Sequence, residues 1–305
     1  MLKYIIKRLA IAILVIIAVS VISFALLRLS GNLAQSLAGE GATQQQIAEI
    51  EKLYGLDKPL VSQYMDWVVK VLQGDMGRSL FTNEPVFRMI VDHIGVTAII
   101  ASLALTLAIV IAIPLGVFAG VYKNSWLDRL ALGTAVFGSA IPNFWFALVL
   151  IYVFGVQLRM LPISGNATWQ HYILPAITLA TGVMPQIMRL TRAGMLDTLD
   201  AEYVKMAWAK GLNPMTVFFK HALRNAILPV VALSAVSLGF LLGGSVIVEA
   251  VFALNGIGSL AYHAIKQADF PVVQSILLFL SCIYVVLTFL ADLINARLDP
   301  RIRLR

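Results

Sequence analysis

The stretch VTAIIASLALTLAIVIAIPLGVFAGV, residues 96–121, has 26 residues and no charged side chain. A helix of about 20 apolar residues crosses the hydrocarbon core of a bilayer. Five other apolar runs, of 17 to 27 residues, lie at 9–29, 130–156, 172–188, 226–248 and 272–290, and Arg28 near the end of the first is their only charged side chain. They lack the alternation of barrel strands, and a helix pairs all of its own backbone groups in lipid. The pattern therefore predicts an all-α polytopic membrane protein with six transmembrane helices.

The composition indicates the same class. The 305 residues are 60% hydrophobic and 13% charged, whereas about a quarter of the residues in soluble domains are charged. This excludes a disordered chain, a coiled coil and an ordinary soluble enzyme. The single cysteine, Cys282, excludes a disulfide within the chain and a metal cluster held by cysteines.

Positive charge predicts the orientation. With a cytoplasmic N-terminus, the inner segments hold 15 Lys and Arg residues and the outer segments hold 8. Most of the eight lie in the long segment 30–95, and long loops translocate largely regardless of charge. Both termini are therefore predicted inside, and the net charge of +7 needs no nucleic acid partner. A cleaved signal peptide is the competing interpretation of 9–29, but this run exceeds the usual ~7–15 apolar residues.

The predicted spans divide the chain into three parts. Residues 1–95 hold the first transmembrane helix and an extracytoplasmic helical segment. Residues 96–296 form a five-helix core that contains a cytoplasmic loop at 194–225. Residues 297–305 form a basic cytoplasmic tail.

The extracytoplasmic segment is predicted to hold two short amphipathic helices. Thr43 and Gln46 have the spacing of a capping box at the start of the first helix, and Gly55 suits its end. Residues 57–59 are placed to cap the second helix. Two interpretations stay open. The helices lie on the membrane shoulder and cover helix ends, or they form a docking surface for an outside partner.

The loop 194–225 is predicted to form a helix–turn–helix. Asp200 is placed to cap the first helix, Gly211 can take the left-handed conformation that ends it, and Asn213-Pro214 starts the second. The faces mix apolar and basic residues. This composition suits an interfacial helix on anionic lipid and an element that fits the groove of a soluble partner equally well.

The sequence signals for catalysis and ion coupling are weak. No ionisable residue lies deep in a predicted span, where an ion-coupled carrier usually keeps one. Ser164 and His171 lie in a predicted short outer loop, and the four histidines lack the spacing of a metal site. No GxxxxGK[ST] loop occurs, so the chain has no device of this kind for binding ATP.

Two blocks of the inner loop carry a family resemblance, EYVKMAWAKGL at 202–212 and HALRNAILP at 221–229. They are similar to the cytoplasmic loop of ABC importer permeases, and more closely to the peptide/nickel branch. Further blocks follow in family order along nearly the whole chain, at 1–9, 54–60, 74–79, 139–145, 169–175, 243–249 and 298–303. The chain departs from the family pattern at Gly31-Asn32-Leu33 and at Leu254-Asn255.

The resemblance implies the fold of a type I ABC importer permease. Such an importer has two permeases, two cytoplasmic ABC ATPase subunits and an extracytoplasmic solute-binding protein. This chain would be one permease, paired with a related second permease in a bacterial-type cytoplasmic (inner) membrane. The chain itself would have no catalytic activity and no cofactor, because ATP-Mg binds to the ATPase subunits.

The implied substrate is a di- or oligopeptide or a related small solute, such as glutathione, a nickel chelate or an opine. The alternatives are a membrane-embedded scaffold or enzyme subunit and an ion-coupled carrier.

The resemblance also assigns the inner loop to coupling with a groove of one ATPase. Tyr203 and Ala207 lie four residues apart, hence on one predicted helix face, and we expect this face to meet the ATPase. The residues carried over from the family's loop are Glu202, Tyr203, Lys205, Ala207, Ala209, Lys210, Gly211, Pro214, His221, Arg224 and Asn225.

Overall fold

A computed structural model describes residues 2–30, 33–39, 41–53 and 55–298. The departure at Gly31-Asn32 and residues 299–305 of the tail lie outside the described residues. The described part is helical and contains no β-strand, only an isolated bridge between Arg78 and Pro85.

The helices of the first half are α1 (Leu2–Ser30), α2 (Leu33–Ala38), α3 (Gln44–Leu53), α4 (Leu60–Leu72), α5 (Val86–Val121), α6 (Trp126–Ala140) and α7 (Asn143–Leu150), which continues as a π-helix (Ile151–Gln157). After a short 3-10 helix (Trp169–Tyr172), the second half comprises α8 (Ile173–Leu199), α9 (Glu202–Ala209), α10 (Pro214–Thr216), a π-helix (Val217–Ala222), α11 (Leu223–Ala226), α12 (Leu228–Gly244), α13 (Val246–Val251), α14 (Ile257–Lys266) and α15 (Phe270–Leu298).

Four of the predicted spans correspond to continuous helices. By length and composition, four helical segments can cross a membrane, namely 5–25 in α1, α5, 169–199 with α8, and 270–297 in α15. Three of them are longer than predicted, because α5 begins at Val86, α8 ends at Leu199 and α15 runs from Phe270 to Leu298.

The expectation of one helix over 130–156 is wrong. The segments 126–140 and 143–157 are bent by 100° relative to each other. Pro142 has no N–H to donate, and its ring clashes with the preceding turn of a helix. Ile141 before it is extended, with ψ 126°, as expected for a residue that precedes proline.

The helix predicted over 226–248 begins after a bend and ends early, because α12 covers Leu228–Gly244 and Ser245 separates it from α13. Residues 214–226 are bent by 57° from 228–244, and Pro229 lies in the first turn of α12, where its missing N–H costs no helix hydrogen bond. Each bent pair can form one broken span, which gives four to six candidate spans among the described residues.

Helices α5 and α8 form the centre of the fold. Gly116 and Gly120 of α5 lie against Thr191 and Met195 of α8, and a Cβ atom added at either glycine would lie 2.6 Å from the facing Cβ atom. Small residues four apart allow two helix backbones to approach this closely. The alanines of α5 that line the surrounding core are fully buried at positions 101, 104, 108 and 112.

Two contacts attach the N-terminal part to α15 and to the residue that precedes it. Helix α1 packs along α15, and Arg8 pairs with Asp292 at 3.0 Å. On the predicted outer side, the Ser79 hydroxyl donates to Asp269 Oδ2 at 2.6 Å, and both side chains are buried.

One of the two helix starts predicted in the outer segment is confirmed. The Thr43 N–H donates to Gln46 Oε1 at 2.9 Å, and the Gln46 N–H donates to Thr43 Oγ1 at 3.4 Å. The second helix also starts after the predicted residues 57–59, with Pro59 in the cap position, but no side chain there donates or accepts a capping hydrogen bond. The turn that leads into the helix is instead held by Gln63, whose side-chain amide donates to the carbonyl oxygens of residues 56 and 58.

Candidate coupling surface

Helix α9 begins one residue later than the sequence suggested. The prediction that Asp200 caps it is wrong, because α8 runs through Leu199 and Asp200 is the residue that ends α8. Ala201, with an extended backbone at ψ 144°, takes the cap position without a side-chain hydrogen bond. The long α8 therefore leads into α9 with a single intervening turn.

The turn after α9 has the predicted conformation. Gly211 has φ +72°, which is the left-handed region that glycine adopts without a Cβ clash. The Asn213 side chain accepts from the Met215 N–H at 2.9 Å, and Pro214 occupies the first helical turn of α10. The predicted helix–turn–helix is thus confirmed.

One side of α9 packs inward. Val204 and Ala207 are buried against Val117 of α5, Met195 of α8 and Val217 of the following π-helix. The expectation that Ala207 faces a docking partner is therefore wrong. Val204 and Ala207 are three residues apart and point to one side of the helix, so they fix α9 to the ends of the two central helices.

Other large apolar side chains of the segment are exposed. Met206 is 60% exposed and Met215 is 54% exposed. The other large apolar side chains with at least a third of their surface exposed here are Tyr203, Trp208, Leu212 and Phe219. We call these six residues the coupling surface. Met206, Trp208, Leu212, Met215 and Phe219 are absent from the residues carried over from the family.

The coupling surface is rimmed by cations. Lys210, Lys220 and Arg224 are exposed around it. The Lys205 ammonium donates to Glu202 Oε1 at 2.8 Å, and this hydrogen bond raises the pKa of Lys205. An apolar patch with a basic rim complements a groove with acidic edges.

The remaining carried-over residues support the segment. The Asn225 amide donates to the Tyr203 hydroxyl at 2.8 Å, which ties α11 to α9. Ala209, Gly211 and Pro214 are exposed, and His221 is half-buried.

An ion pair between a buried carboxylate and a partly exposed arginine supports the centre of the fold near this segment. Arg192 of α8 donates to Asp128 of α6 through two nitrogens, at 2.6 and 2.8 Å. Asp128 is only 2% exposed, and it also accepts from the Asn124 N–H at 2.9 Å. The pair therefore holds the start of α6 against α8.

A second buried carboxylate was missed by the sequence analysis. Glu249 lies one residue beyond a predicted span and is fully buried. Its carboxylate accepts from Thr97 at 2.8 Å, from the Ser245 hydroxyl at 2.6 Å and from the Ser259 N–H at 2.9 Å. The Ile257 N–H in turn donates to Thr97 Oγ1 at 2.8 Å.

These bonds join α5, α13 and α14 on the predicted outer side. The departure at Leu254-Asn255 lies in the turn they enclose, and Leu254 is fully buried. A Cβ atom at Gly256 would collide with the Glu249 carboxylate, so this turn depends on glycine. The only signal in the sequence was the block at 243–249.

The described residues contain no group of three or more His, Cys, Asp or Glu side chains that could hold a metal ion. What the described geometry offers is a firmly packed helical segment that presents an apolar, basic-rimmed surface. Such a surface is suited to binding another protein.

Two family models match the chain. "Binding-protein-dependent transport system inner membrane component" matches residues 112–304. "Binding-prot-dependent transport system membrane comp, N-term" matches residues 1–104.

Curated relatives match along the full length. The chain is 37% identical over 304 residues to the Glutathione transport system permease protein GsiC of Escherichia coli (strain K12), with 99% of each chain covered. It is 38% identical over 305 residues to the protein of the same name from Salmonella typhimurium, again with 99% of each chain covered.

Solved structures show a similar fold. Two structures of the inward-facing MetNI methionine ABC transporter match with TM-scores of 0.56 and 0.61 at 21% sequence identity. Each match covers 71% of this chain and 99% of the other.

Proposed function

Because this chain belongs to the family of binding-protein-dependent transport system inner membrane components, as a permease subunit of a peptide/nickel-type ABC importer, we propose that its α9–α10 segment couples the permease to an ATPase. The chain is a multi-pass inner-membrane protein. The observation that carries the proposal is the exposed coupling surface on a base that is buried against α5 and α8.

The proposed topology has six spans with both termini inside. The bent pair 126–140 and 143–157 is then one broken span. Residues 214–226 stay in the cytoplasmic loop, and α12 carries the span predicted over 226–248. The excess of Lys and Arg on the inner side supports this orientation. The proposed parts remain 1–95, 96–296 with the loop 194–225, and 297–305. Their first boundary lies within α5, so the first two parts share this helix.

The proposed assembly pairs this chain with a related second permease and two ATPase subunits. One chain offers a single coupling surface, whereas two ATPases close as a pair, which favours a partner with a coupling surface of its own. ATP-Mg binds to the ATPases, and this chain takes no catalytic part. A solute-binding protein delivers substrate on the outer side.

The proposed substrate is a small peptide such as glutathione. The GsiC relatives support this choice through their name and full-length similarity. Reconstituted vesicles are offered radiolabelled glutathione or a radiolabelled dipeptide, and uptake of each compound shows which of the two is transported. A transporter that moves neither contradicts the substrate proposal and leaves the coupling proposal intact if its ATPase still responds to the binding protein.

Aspartate in place of Met206 or Met215 tests the coupling surface. Each charge would be buried on docking, and loss of such an interface anchor costs about 2 kcal/mol or more, roughly 30-fold in affinity. We expect Met206→Asp and Met215→Asp to lose ATPase co-purification, stimulated ATP hydrolysis and uptake together. Phe81→Asp is the matched control, because Phe81 is 59% exposed on the predicted outer side and should keep the ATPase bound.

The same preparations distinguish the alternatives. Normal ATPase binding by both Met variants removes this surface from the mechanism. A scaffold or enzyme subunit predicts no ATPase in the purified complex at all. An ion-coupled carrier predicts uptake that collapses with the ion gradient while ATP is intact.

A further inference from the structure

Helix α4 uses one of its faces to pack against α1. The Ser20 hydroxyl donates to the Ile17 carbonyl at 2.8 Å, and it lies 2.7 Å from the Tyr64 hydroxyl, which therefore acts as donor. The Phe24 ring lies 5.5 Å from the Tyr64 ring and 6.0 Å from the Trp67 ring, between centroids. Phe24 is 4% exposed as a result.

These contacts fix the depth of α4 relative to the membrane. Ser20 lies inside the apolar segment 5–25, five residues before its end, which corresponds to about 7.5 Å along a helix. The Tyr64 hydroxyl thus reaches into the hydrocarbon zone of α1. The body of α4 lies at the predicted outer rim of that zone.

A second face of α4 is apolar and has no partner within the described chain. Val61 is 75%, Met65 57%, Val69 51% and Leu72 82% exposed. At about 100° per residue, these four positions form one stripe whose centre lies about a third of a turn from the face that meets α1. We call them the α4 stripe.

The third face of α4 is polar. Asp66 and Lys70 are four residues apart and lie about a third of a turn from the centre of the α4 stripe, with Ser62 between them and the stripe. Asp66 accepts from the Lys58 ammonium at 2.9 Å. A helix with one protein-facing, one apolar and one charged side is organised for a boundary between protein, hydrocarbon and water.

We propose that α4 lies in the outer membrane interface with its stripe inserted among lipid acyl chains. Exposed apolar residues of α1 lie at the same level as Ser20, since Val21 is 45% and Ile22 is 56% exposed. A lipid surface is the occupant because α4 is held at hydrocarbon depth beside this span. The polar face then points to water, where it can stay hydrated.

Spin labels on single cysteines test the proposal in the assembled transporter, reconstituted in phosphatidylcholine vesicles. Labels replace Val61, Met65 or Val69 of the stripe, or Asp66 or Lys70 of the polar face, all on a Cys282→Ser background. Collision with oxygen reports hydrocarbon, and collision with a water-soluble nickel chelate reports water. We expect the stripe labels to favour oxygen, at a depth of about 5–10 Å, and the polar-face labels to favour the chelate.

Two results would overturn the inference. Stripe labels that collide mainly with the chelate would place α4 in water. Stripe labels shielded from both reagents would show that protein covers the stripe, and repeating the measurement without the binding protein would identify whether it or the second permease does so. The polar-face labels are the internal control in both cases, because they share the helix and the preparation.

Discussion

The contact between α5 and α8 can be perturbed by a single methyl group. A Cβ atom at Gly116 would lie 2.6 Å from the Thr191 Cβ atom and 2.7 Å from the Met188 carbonyl oxygen. Non-bonded carbon atoms prefer about 3.5–4.0 Å. The carbonyl belongs to the backbone of α8 and cannot rotate away, so the two helices must separate by about 1 Å.

This separation has a predictable cost. Overpacking a well-filled core by one methyl group typically costs about 1–3 kcal/mol. We expect Gly116→Ala to lower the stability of the permease by this amount, which corresponds to several degrees in unfolding temperature. Because α9 is attached to the ends of α5 and α8, uptake should fall as well.

The matched control lies on the same helix. Gly95 of α5 has no atom within 4 Å of an added Cβ, so Gly95→Ala should leave stability unchanged or raise it by up to about 1 kcal/mol through helix propensity. Thermal unfolding of the two purified variant complexes measures the difference. Equal unfolding temperatures for Gly116→Ala and Gly95→Ala would refute the close packing of α5 on α8.

Three further predictions use buried sites. Glu249→Ala leaves the buried hydroxyls of Thr97 and Ser245 without their acceptor, at about 1–3 kcal/mol each, and also removes the acceptor of the half-buried Ser259 N–H. The 254–269 segment should then become sensitive to protease in intact vesicles. Unchanged resistance would show that Glu249 does not hold this segment in place. Arg192→Met leaves Asp128 buried without its partner and should lower the stability of the fold by about 3–5 kcal/mol. If this loss comes from the unpaired carboxylate, the double variant Asp128→Leu/Arg192→Met should recover most of the unfolding temperature. Ala207→Asp should unfold the coupling segment because Ala207 is 4% exposed. Met206→Asp should keep the melting temperature of the parent protein and lose ATPase binding. Equal melting temperatures for the two variants would show that Ala207 is not packed inward.

The sequence was sufficient for the class of fold and for the inner turn. Uninterrupted apolar runs predicted the continuous helices, since hydrophobic length alone determines whether a helix can span. Gly211 and Asn213-Pro214 predicted the turn correctly, because each acts through local backbone geometry. The bend at Pro142 was missed because proline is tolerated inside many membrane helices, and its effect depends on what packs around it.

The inward and outward sides of α9 could not be separated from sequence. Both sides carry apolar residues, and Ala207 and Met206 differ only in what α5 and α8 place next to them. Spacing shows which residues share a side of α9, because Val204 and Ala207 are three residues apart, as are Tyr203 and Met206. It does not show which of these two sides faces inward. Glu249 was missed for a similar reason, since its donors come from residues up to 152 positions away.

Site-specific cross-linking tests the central claim, that the coupling surface binds an ATPase subunit. A benzophenone label on Met206→Cys, in the Cys282→Ser background of the assembled transporter, reports what lies within a few ångströms. Phe81→Cys, exposed on the predicted outer side, carries the same label as a control. The proposed mechanism predicts a light-dependent product between position 206 and the ATPase and none from position 81. Cross-linking of position 206 to lipid alone, with the ATPase present and active, would contradict it.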